Sequence, residues 1–404
     1  MMKQKDIVIV GAGMVGLTCA LALAPSGLKV AVIDAAEKSA APAGEPELRV
    51  SAVSKASQSI FENLGVWQHL NTQRITPYTA MQVWEQDSFA RIGFKAADVF
   101  TNDLGHIIEN RNVTAALTHV VERTDNVELI TGVKIDKLSL GQGTQVLQLA
   151  DGELLTCRFV IGADGANSMV GKVANFAQTW WDYDQKAIVA TVQTQLPHEY
   201  TARQVFTPHG PLALLPLWQP EQCSIVWSQS TDKANELLSL DESDFNKALA
   251  TTFDMQAGQI KLCSARQCFP LKMRYARQWL GEGAMVIGDA AHTIHPLAGQ
   301  GANLGLLDAA SVAEQICQLV EEDKDFTQVR YLRPVERWRK AEAAKMVASM
   351  ETFKRLFSGE QPLKKLIRGA GMSLVNEITP LKSDIIKQAM GISGKLPELA
   401  VKAS

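Results

Sequence analysis

Three glycines between two apolar runs have the spacing of a turn that binds the phosphates of a dinucleotide. Gly11 permits a tight turn, Gly13 lets the backbone approach a pyrophosphate, and Gly16 lets the following helix pack closely on the strand. The start of that helix offers amide groups and a positive dipole end to the phosphates. Asp34 ends the second apolar run, where its carboxylate can accept hydrogen bonds from ribose hydroxyls, which indicates a dinucleotide without a 2′-phosphate.

A second group of chemically capable residues lies near position 290. Gly288 and Asp289 end an apolar strand, so the carboxylate is predicted at the strand end where α/β sheets bind ligands and where a ribityl chain could donate to it. The residues that open the next predicted helix are Gly299, Gln300, Gly301 and Asn303. Their amides could stabilise negative charge on a reduced flavin ring.

The two groups together favour a flavin dinucleotide. A glycine motif alone can be a chance turn, and it does not distinguish NAD from FAD. An enzyme that binds only NAD has no use for the second group. The sequence therefore predicts that the cofactor is FAD and that both groups of residues bind it.

The elements that must position these residues predict an α/β protein. Residues 6–34 read as a βαβ unit, within a Rossmann-like FAD-binding domain that is accompanied by a second β-sheet substrate domain and a helical C-terminal tail. Residues 127–160 predict a small antiparallel meander, and the helical pattern beyond Asp308 is expected to break at Pro334. The expected boundaries are 1–75, 106–178 and 281–330 for the FAD-binding domain, 76–105 and 179–280 for the substrate domain, and 331–404 for the C-terminal helices.

Bulk properties exclude some partners. The 404 residues carry a net charge of −3, which gives no field for binding nucleic acid. The apolar run 7–24 imitates a membrane anchor, but its glycine pattern argues against that interpretation. A cytoplasmic protein, at most peripheral to the inner membrane, is expected. The oligomeric state is not predicted.

These motifs resemble those of the flavoprotein aromatic hydroxylases of the para-hydroxybenzoate hydroxylase type, and Asp164 with Gly165 resembles their third motif. More narrowly, the chain is similar to the ubiquinone-biosynthesis FAD monooxygenases in residues 48–53, 104–110, 202–206, 264–271 and 292–301. The resemblance implies FAD, NAD(P)H as a transient co-substrate, O₂, and hydroxylation of a polyprenylphenol through a C4a-hydroperoxyflavin. It also implies that Arg49 contacts FAD, although a surface ion pair is the alternative.

The third motif departs from the family pattern. Asp164, Gly165 and Ser168 are followed by Gly171 and Lys172, where the family has an arginine. The family uses this motif for FAD and for transient NAD(P)H contact. Lys172 is the candidate replacement for the missing charge.

Three residues beside the second group are candidates for the pocket. His292, His295 and Pro296 could line a substrate pocket, or the histidines could simply hydrogen-bond the loop. Two histidines three positions apart without a carboxylate cluster make a poor ligand set, so no metal is expected.

The C-terminal tail contains a basic amphipathic segment. Its cations are Lys354, Arg355, Lys364, Lys365 and Arg368, and they alternate with apolar residues. Such a helix could rest on an anionic membrane, dock on other ubiquinone-biosynthesis proteins, or pack on its own domain. The motifs alone also leave open a flavin oxidase, a prenyl reductase, and a pathway assembly component in which FAD is structural.

Overall fold

A computed structural model describes residues 3–86, 88, 91–293, 300–357 and 379–402. Its strands are β1 Lys3–Gln4, β2 Ile7–Val10, β3 Val30–Asp34, β4 Val50–Ser54, β5 Ile75–Tyr78, β6 Ala80–Glu85, β7 Arg91–Lys95, β8 Gly105–Glu109, β9 Val127–Thr131, β10 Ile135–Leu140, β11 Gln145–Leu149, β12 Leu154–Cys157, β13 Phe159–Gly162, β14 Gln178–Thr194, β15 Thr201–Thr207, β16 Gly210–Pro216, β17 Gln222–Ser230, β18 Ile260–Leu262, β19 Gln267–Ala276, β20 Leu280–Gly281, β21 Ala284–Val286 and β22 His292–Thr293. Its helices are α1 Met14–Leu23, α2 Lys55–Asn63, α3 Asn110–Val121, α4 Met169–Val173, α5 Thr231–Ser239, α6 Glu242–Thr252, α7 Gln300–Glu321, α8 Val329–Phe357 and α9 Thr379–Ala389.

A parallel sheet carries the first two groups of site residues. Its order is β20-β21-β13-β2-β3-β9, and all neighbours except β20 and β21 are parallel. Ile7 and Ile9 of β2 pack towards α1 and α7, whereas Val8 and Val10 pack towards the β10–β12 layer. Burial on both faces explains why β2 is an unbroken apolar run. The predicted βαβ unit is confirmed, with α1 joining β2 to β3.

The predicted meander is wrong at its first strand. Val127–Thr131 pairs in parallel with β3 and so extends the parallel sheet, while only β10, β11 and β12 form the antiparallel meander. β9 lies at the sheet edge and is mostly half-buried, as a strand of a small meander would also be. Its partner lies about a hundred positions earlier, and local periodicity does not identify such a partner.

A second, larger sheet covers the cofactor domain. Its order is β22-β19-β14-β17-β16-β15-β6-β7, with β18 pairing on β14. The predicted strands at 187–193, 213–216 and 224–228 lie within β14, β16 and β17. Helices α5 and α6 cover this sheet through an apolar cluster that includes Phe245 and Leu249. Strands β4, β8 and β5 form a separate small sheet.

The C-terminal helices pack on the body of the protein. The expected break at Pro334 is wrong, because α8 continues through it, and Leu332 and Val335 on either side are buried. The lost backbone bond lies near the start of a long helix that packing stabilises. In α9, Ile386 packs with Leu104. Among the described residues, no helix is both long and apolar enough to cross a bilayer.

Candidate functional site

The glycine turn is built by close backbone approaches. Gly11 has φ +107°, and a Cβ added there would lie 2.4 Å from the carbonyl oxygen of Ala163. A Cβ at Gly16 would lie 1.9 Å from the oxygen of Gly11, so the turn and helix α1 meet without space for a side chain. A Cβ at Gly13 would meet no atom within 4 Å. Gly13 therefore faces open space, as a turn that receives a ligand must.

Helix α1 begins at this open position without a cap. Gly13 is its N-cap residue, and no side chain accepts a hydrogen bond from the first amides or adds an acid to the first turn. The first amides of a helix have no partner within the helix, and the helix dipole makes this end positive. The arrangement fits the pyrophosphate of a dinucleotide.

The carboxylate of Asp34 is fixed beside the same turn. The amide of Ala12 donates to its Oδ2 at 2.6 Å and the amide of Ala36 donates to its Oδ1 at 2.8 Å. The side chain is half-buried, so each oxygen keeps a lone pair for a further donor. This geometry is compatible with the prediction that Asp34 accepts hydrogen bonds from a ribose.

Asp289 and Arg49 come together although they are far apart in sequence. The Asp289 side chain is solvent-accessible, yet the protein around it reduces its hydration and raises the pKa of the carboxyl, while His292 and Arg49 oppose that shift. Arg49 is exposed, and its guanidinium lies 5.3 Å from the centroid of the Phe269 ring. An accessible carboxylate within dense protein is typical of the wall of a binding cleft.

The second group packs directly against the start of α1. Gly288 has φ +58°, and a Cβ there would lie 3.1 Å from Val15 Cγ1. A Cβ at Gly305 in α7 would lie 2.8 Å from Val15 Cγ2 and 3.1 Å from the Cα of Gly288. Gly305 thus allows three segments to meet at one point. Sequence reasoning did not select it, because its role depends on contacts with two distant segments.

The predicted residues at the start of α7 have different roles. Asn303 is buried; its Nδ2 donates to the oxygen of Ala52 at 2.8 Å and its Oδ1 accepts from the amide of Ser54 at 2.9 Å, which ties α7 to the end of β4. Gly301 lies in the first turn of α7. Gly299, His295 and Pro296 lie outside the described residues, as does the side chain of Gln300.

His292 belongs to a buried ionic network. Its Nε2 lies 2.5 Å from Asp308 Oδ2, and the same oxygen accepts from the amide of Gly288 at 3.2 Å. Arg339 donates through Nε to Asp308 Oδ1 at 2.7 Å. Burial would raise the pKa of the Asp308 carboxyl, but His292 and Arg339 outweigh it and hold that pKa below its ordinary value.

This network gives His292 a structural role in the loop. The side chain is fully buried, so of the two sequence-based alternatives the geometry corresponds to hydrogen bonding within the loop and not to an open pocket wall. Asp308 and Arg339, which sequence reasoning did not select, fix the turn that presents Asp289. Each of these two residues is a charged side chain on an otherwise apolar helix face, and that pattern could have identified them in the sequence.

The third motif lies against the glycine turn, but its carboxylate already accepts hydrogen bonds from neighbouring residues. Asp164 accepts from the hydroxyl of Ser168 at 2.5 Å and the amide of Met169 at 2.6 Å, so it holds the start of α4. Gly165 has φ +75°, with open space at its Cβ position. Lys172 is exposed, whereas Arg274 of β19 donates to the backbone oxygen of Ala166 in this turn. The cation that touches the motif comes from the other sheet.

A family model described as an FAD binding domain matches residues 4–347. The chain belongs to this family. The uncapped start of α1, the open Gly13 and the two placed carboxylates fit FAD, and the predicted cofactor is confirmed. Among the described residues, no group of three or more His, Cys, Asp or Glu side chains could hold a metal ion.

Two curated relatives align over nearly the whole chain. The 3-demethoxyubiquinol 3-hydroxylase of Escherichia coli is 34% identical over 96% of this chain and 99% of its own length. The mitochondrial ubiquinone biosynthesis monooxygenase COQ6 of Danio rerio is 34% identical over 94% of this chain and 88% of its own. They confirm the predicted family, and with it an FAD-dependent monooxygenase.

Solved structures confirm the predicted fold class. The p-nitrophenol 4-monooxygenase PnpA of Pseudomonas putida DLL-E4 superposes with a TM-score of 0.78, covering 98% of this chain and all of that chain. The sequence identity is 16%, so this likeness concerns the fold alone.

Proposed function

We propose that the protein hydroxylates the aromatic ring of a polyprenylated phenol in ubiquinone biosynthesis, using FAD, NAD(P)H and O₂. The observation that carries the proposal is the convergence of the uncapped α1 start, Asp34 and Asp289 in a chain that belongs to this family. The similarity of residues 48–53, 104–110 and 202–206 supports the narrower assignment to a 2-octaprenylphenol hydroxylase type of enzyme.

Each placed residue has a binding task. The amides at the start of α1 bind the pyrophosphate of FAD, Asp34 accepts from the adenosine ribose, and Asp289 accepts from the ribityl chain. Arg49 is exposed and near Asp289, so it supplies a cation on the same side of the cleft. The tie from Asn303 to β4 holds α7 in register with the segment that carries Arg49.

The overall reaction consumes one phenol, one O₂, one NAD(P)H and one proton, and yields the hydroxylated phenol, water and NAD(P)⁺. Bound FAD supplies the chemistry of accepting reducing equivalents and activating O₂. The protein holds the ring in place and excludes water from it. The phenol hydroxyl already activates the ring, so the reaction requires no separate catalytic base.

The test is turnover of a short-chain prenylphenol with NAD(P)H under ¹⁸O₂. The proposal predicts one labelled oxygen in the product, together with faster NAD(P)H oxidation when the phenol is present. A flavin oxidase would give hydrogen peroxide and no label, and a prenyl reductase would consume no O₂. No turnover with any donor, despite bound FAD, would favour an assembly component.

Peripheral contact with a membrane is proposed for substrate supply. A polyprenyl chain partitions into the bilayer, so the enzyme must meet its substrate at that surface. The basic segment 354–368 supports this contact by its composition, and its side chains lie outside the described residues. Other pathway proteins are the alternative partners for the same segment.

A further inference from the structure

An open basic groove lies between α8 and the turn that follows β19. It has a volume of about 520 Å³ and shares no residue with the three FAD motifs. Its walls are formed by Arg277, Gln278, Arg333, Glu336, Arg337 and Lys340. Pockets of a few hundred Å³ are the size that small-molecule ligands use.

The one carboxylate in the groove is already satisfied. Glu336 is only 3% exposed; its Oε1 accepts from the amide of Trp279 at 2.9 Å and its Oε2 accepts from Arg333 Nη1 at 2.6 Å. Among the described residues, Glu336 forms a salt bridge with Arg333 and with no other cation of the groove. The arginine at 333 and its acid act as a structural pair in the wall.

Three cations of the groove have no counter-ion among the described residues. Among the residues that the structure describes, no carboxylate lies within 4.0 Å of the charged groups of Arg277, Arg337 or Lys340. The chain as a whole carries a net charge of −3, so this local excess of positive charge is not a general property of the surface. A concave wall lined by one sign of charge focuses the field on an ion of the opposite sign.

Local contacts hold two of these cations, Arg277 and Lys340, in place. Arg277 Nε donates to Thr179 Oγ1 at 2.8 Å, which orders the guanidinium. Lys340 Nζ donates to the backbone oxygen of Arg277 at 2.5 Å, which joins the two walls. Arg337 and Lys340 are three positions apart on α8 and so share one face. Less side-chain entropy is lost on binding when the donors are already ordered.

We propose that this groove binds the phosphate group of a phosphate-bearing ligand. Three cations around one cleft match a compact group with two or more negative charges, and guanidinium groups pair with phosphate oxygens through two parallel hydrogen bonds. The open side of the groove accommodates whatever the phosphate is attached to. The site is separate from the pyrophosphate site at Gly13 and does not rest on the hydroxylase reaction.

The test is calorimetric titration of the FAD-loaded protein with inorganic pyrophosphate at low ionic strength. Bound FAD occupies the glycine turn, so pyrophosphate reports on other sites. We expect saturable binding of one pyrophosphate per chain. Arg337→Gln with Lys340→Gln should weaken it by at least about tenfold, because two charge-assisted contacts are lost.

The matched control is Lys137→Gln with Lys261→Gln, which removes the same charge from exposed strand positions. It should change the affinity by less than about twofold, since distant exposed charges are screened. Arg337→Gln alone keeps the Lys340 contact and serves as the second variant if the double variant unfolds. Absence of saturable binding, or equal loss in the control, overturns the proposal.

Vesicles distinguish the two sources of phosphate. A lipid headgroup predicts that the protein sediments with phosphatidylcholine vesicles containing phosphatidylglycerol. Arg337→Gln with Lys340→Gln should then weaken this sedimentation more than the control does, and pyrophosphate should compete. A soluble phosphate compound predicts that sedimentation is the same in the variant and the control, while only the variant loses pyrophosphate binding.

Discussion

At the scale of single residues, Asp289 combines access to ligand with reduced hydration. A carboxylate whose pKa is raised by its surroundings is costly to ionise in the folded protein. We propose that the ribityl hydroxyls of bound FAD compensate by donating hydrogen bonds to it. Its ionised form thus favours cofactor binding at the expense of the apo-protein.

We predict that Asp289→Ala weakens FAD binding. Loss of a hydrogen bond to a charged group costs about 1.5–3 kcal/mol, which is roughly ten- to a hundredfold in affinity. Fluorescence titration of the apo-protein with FAD measures this. Asp136→Ala, at an exposed strand position, is the control and should bind FAD as the wild type does. Wild-type affinity in Asp289→Ala would remove this residue from the site.

The same residue yields a prediction about stability. Because the folded pKa of Asp289 is raised, stability falls as pH rises from the unfolded pKa, about 3.9, through the folded value. The apo-protein carries the full cost of ionising Asp289 once the pH is above the folded pKa. Asp289→Asn should raise the Tm of the apo-protein while it lowers FAD affinity. A decrease in both would mean that the carboxylate stabilises the apo-protein.

We predict the opposite behaviour for Asp308. Its folded pKa is lowered, so its stabilising contribution is complete above an unfolded pKa of about 3.9 and is lost as pH falls through the folded value. Asp308→Asn leaves Arg339 buried without its counter-ion and should cost about 3–5 kcal/mol. Urea unfolding of the wild-type and variant apo-proteins, from neutral pH down to below about 3.9, measures the difference in the free energy of unfolding and its loss in acid.

The control for Asp308 is Glu321→Gln, an exposed acid on the same helix. It should change the free energy of unfolding by less than about 0.5 kcal/mol, as surface substitutions usually do. A similarly small change in Asp308→Asn at neutral pH would contradict the role given to the buried network.

At the scale of elements, the junction of α1, α7 and the Gly288 turn depends on an absent side chain. We predict that Gly305→Ala lowers both stability and FAD content, because its Cβ would lie 2.8 Å from Val15 and would separate the two helices. Overpacking of this kind costs about 1–3 kcal/mol.

Gly171→Ala is the matched control for that change. Gly171 is also a helical glycine, but its Cβ would lie 3.5 Å from the nearest atom, at Ser168, which is ordinary contact. This variant should keep its FAD and gain up to about 1 kcal/mol from helix propensity. Thermal unfolding measures the stability of the two variants, and flavin absorbance measures their FAD content. Equal changes in both variants would mean that the junction is not tightly packed.

The third motif offers a test of how the two sheets cooperate. We predict that Arg274→Gln raises the KM for NAD(P)H and slows flavin reduction, because Arg274 holds the turn at Ala166. Lys172→Gln removes an exposed cation of the same region and should leave reduction within about twofold. Anaerobic stopped-flow reduction compares them. If Lys172→Gln slowed flavin reduction more than Arg274→Gln did, Lys172 would have the role of the family's arginine.

At the scale of the whole molecule, the C-terminal region contains the basic segment 354–368 and, after it, a segment that packs on the body of the protein. Ile386 and Met390 are buried against the body of the protein, and Asn63 donates to the backbone oxygens of Leu399 and Val401. Deleting everything after residue 353 would therefore expose apolar surface. The loss of stability could then not be separated from the loss of the basic residues. Substitution within the basic segment avoids this.

We predict that Lys364→Gln, Lys365→Gln and Arg368→Gln together slow turnover of long prenylphenols in vesicles but not of short soluble analogues. The reason is that each basic residue near an anionic bilayer contributes about 1 kcal/mol to attraction. The ratio of kcat/KM for the two substrates is the measurement. Equal loss for both would show that the segment has no part in membrane contact.

The sequence by itself determined the fold class and the cofactor, and it predicted residues for the site. Gly11, Gly13, Gly16 and Asp34 act through spacing within one βαβ unit, so local chemistry sets their geometry. Asp289 follows the same rule at the end of β21. Where the sequence was misleading, as at Pro334 and in β9, packing against distant segments outweighed the local signal.

Only the tertiary structure decided which side chains hold the site together. Asp308 and Arg339 are 31 positions apart, and Arg274 reaches Ala166 across 108 positions. The basic groove likewise unites Arg277 with Lys340, which are 63 positions apart. Periodicity and motif spacing describe neighbours along one element, whereas contacts between elements depend on how complementary surfaces pack. Those contacts exist only once the sheets and helices have assembled.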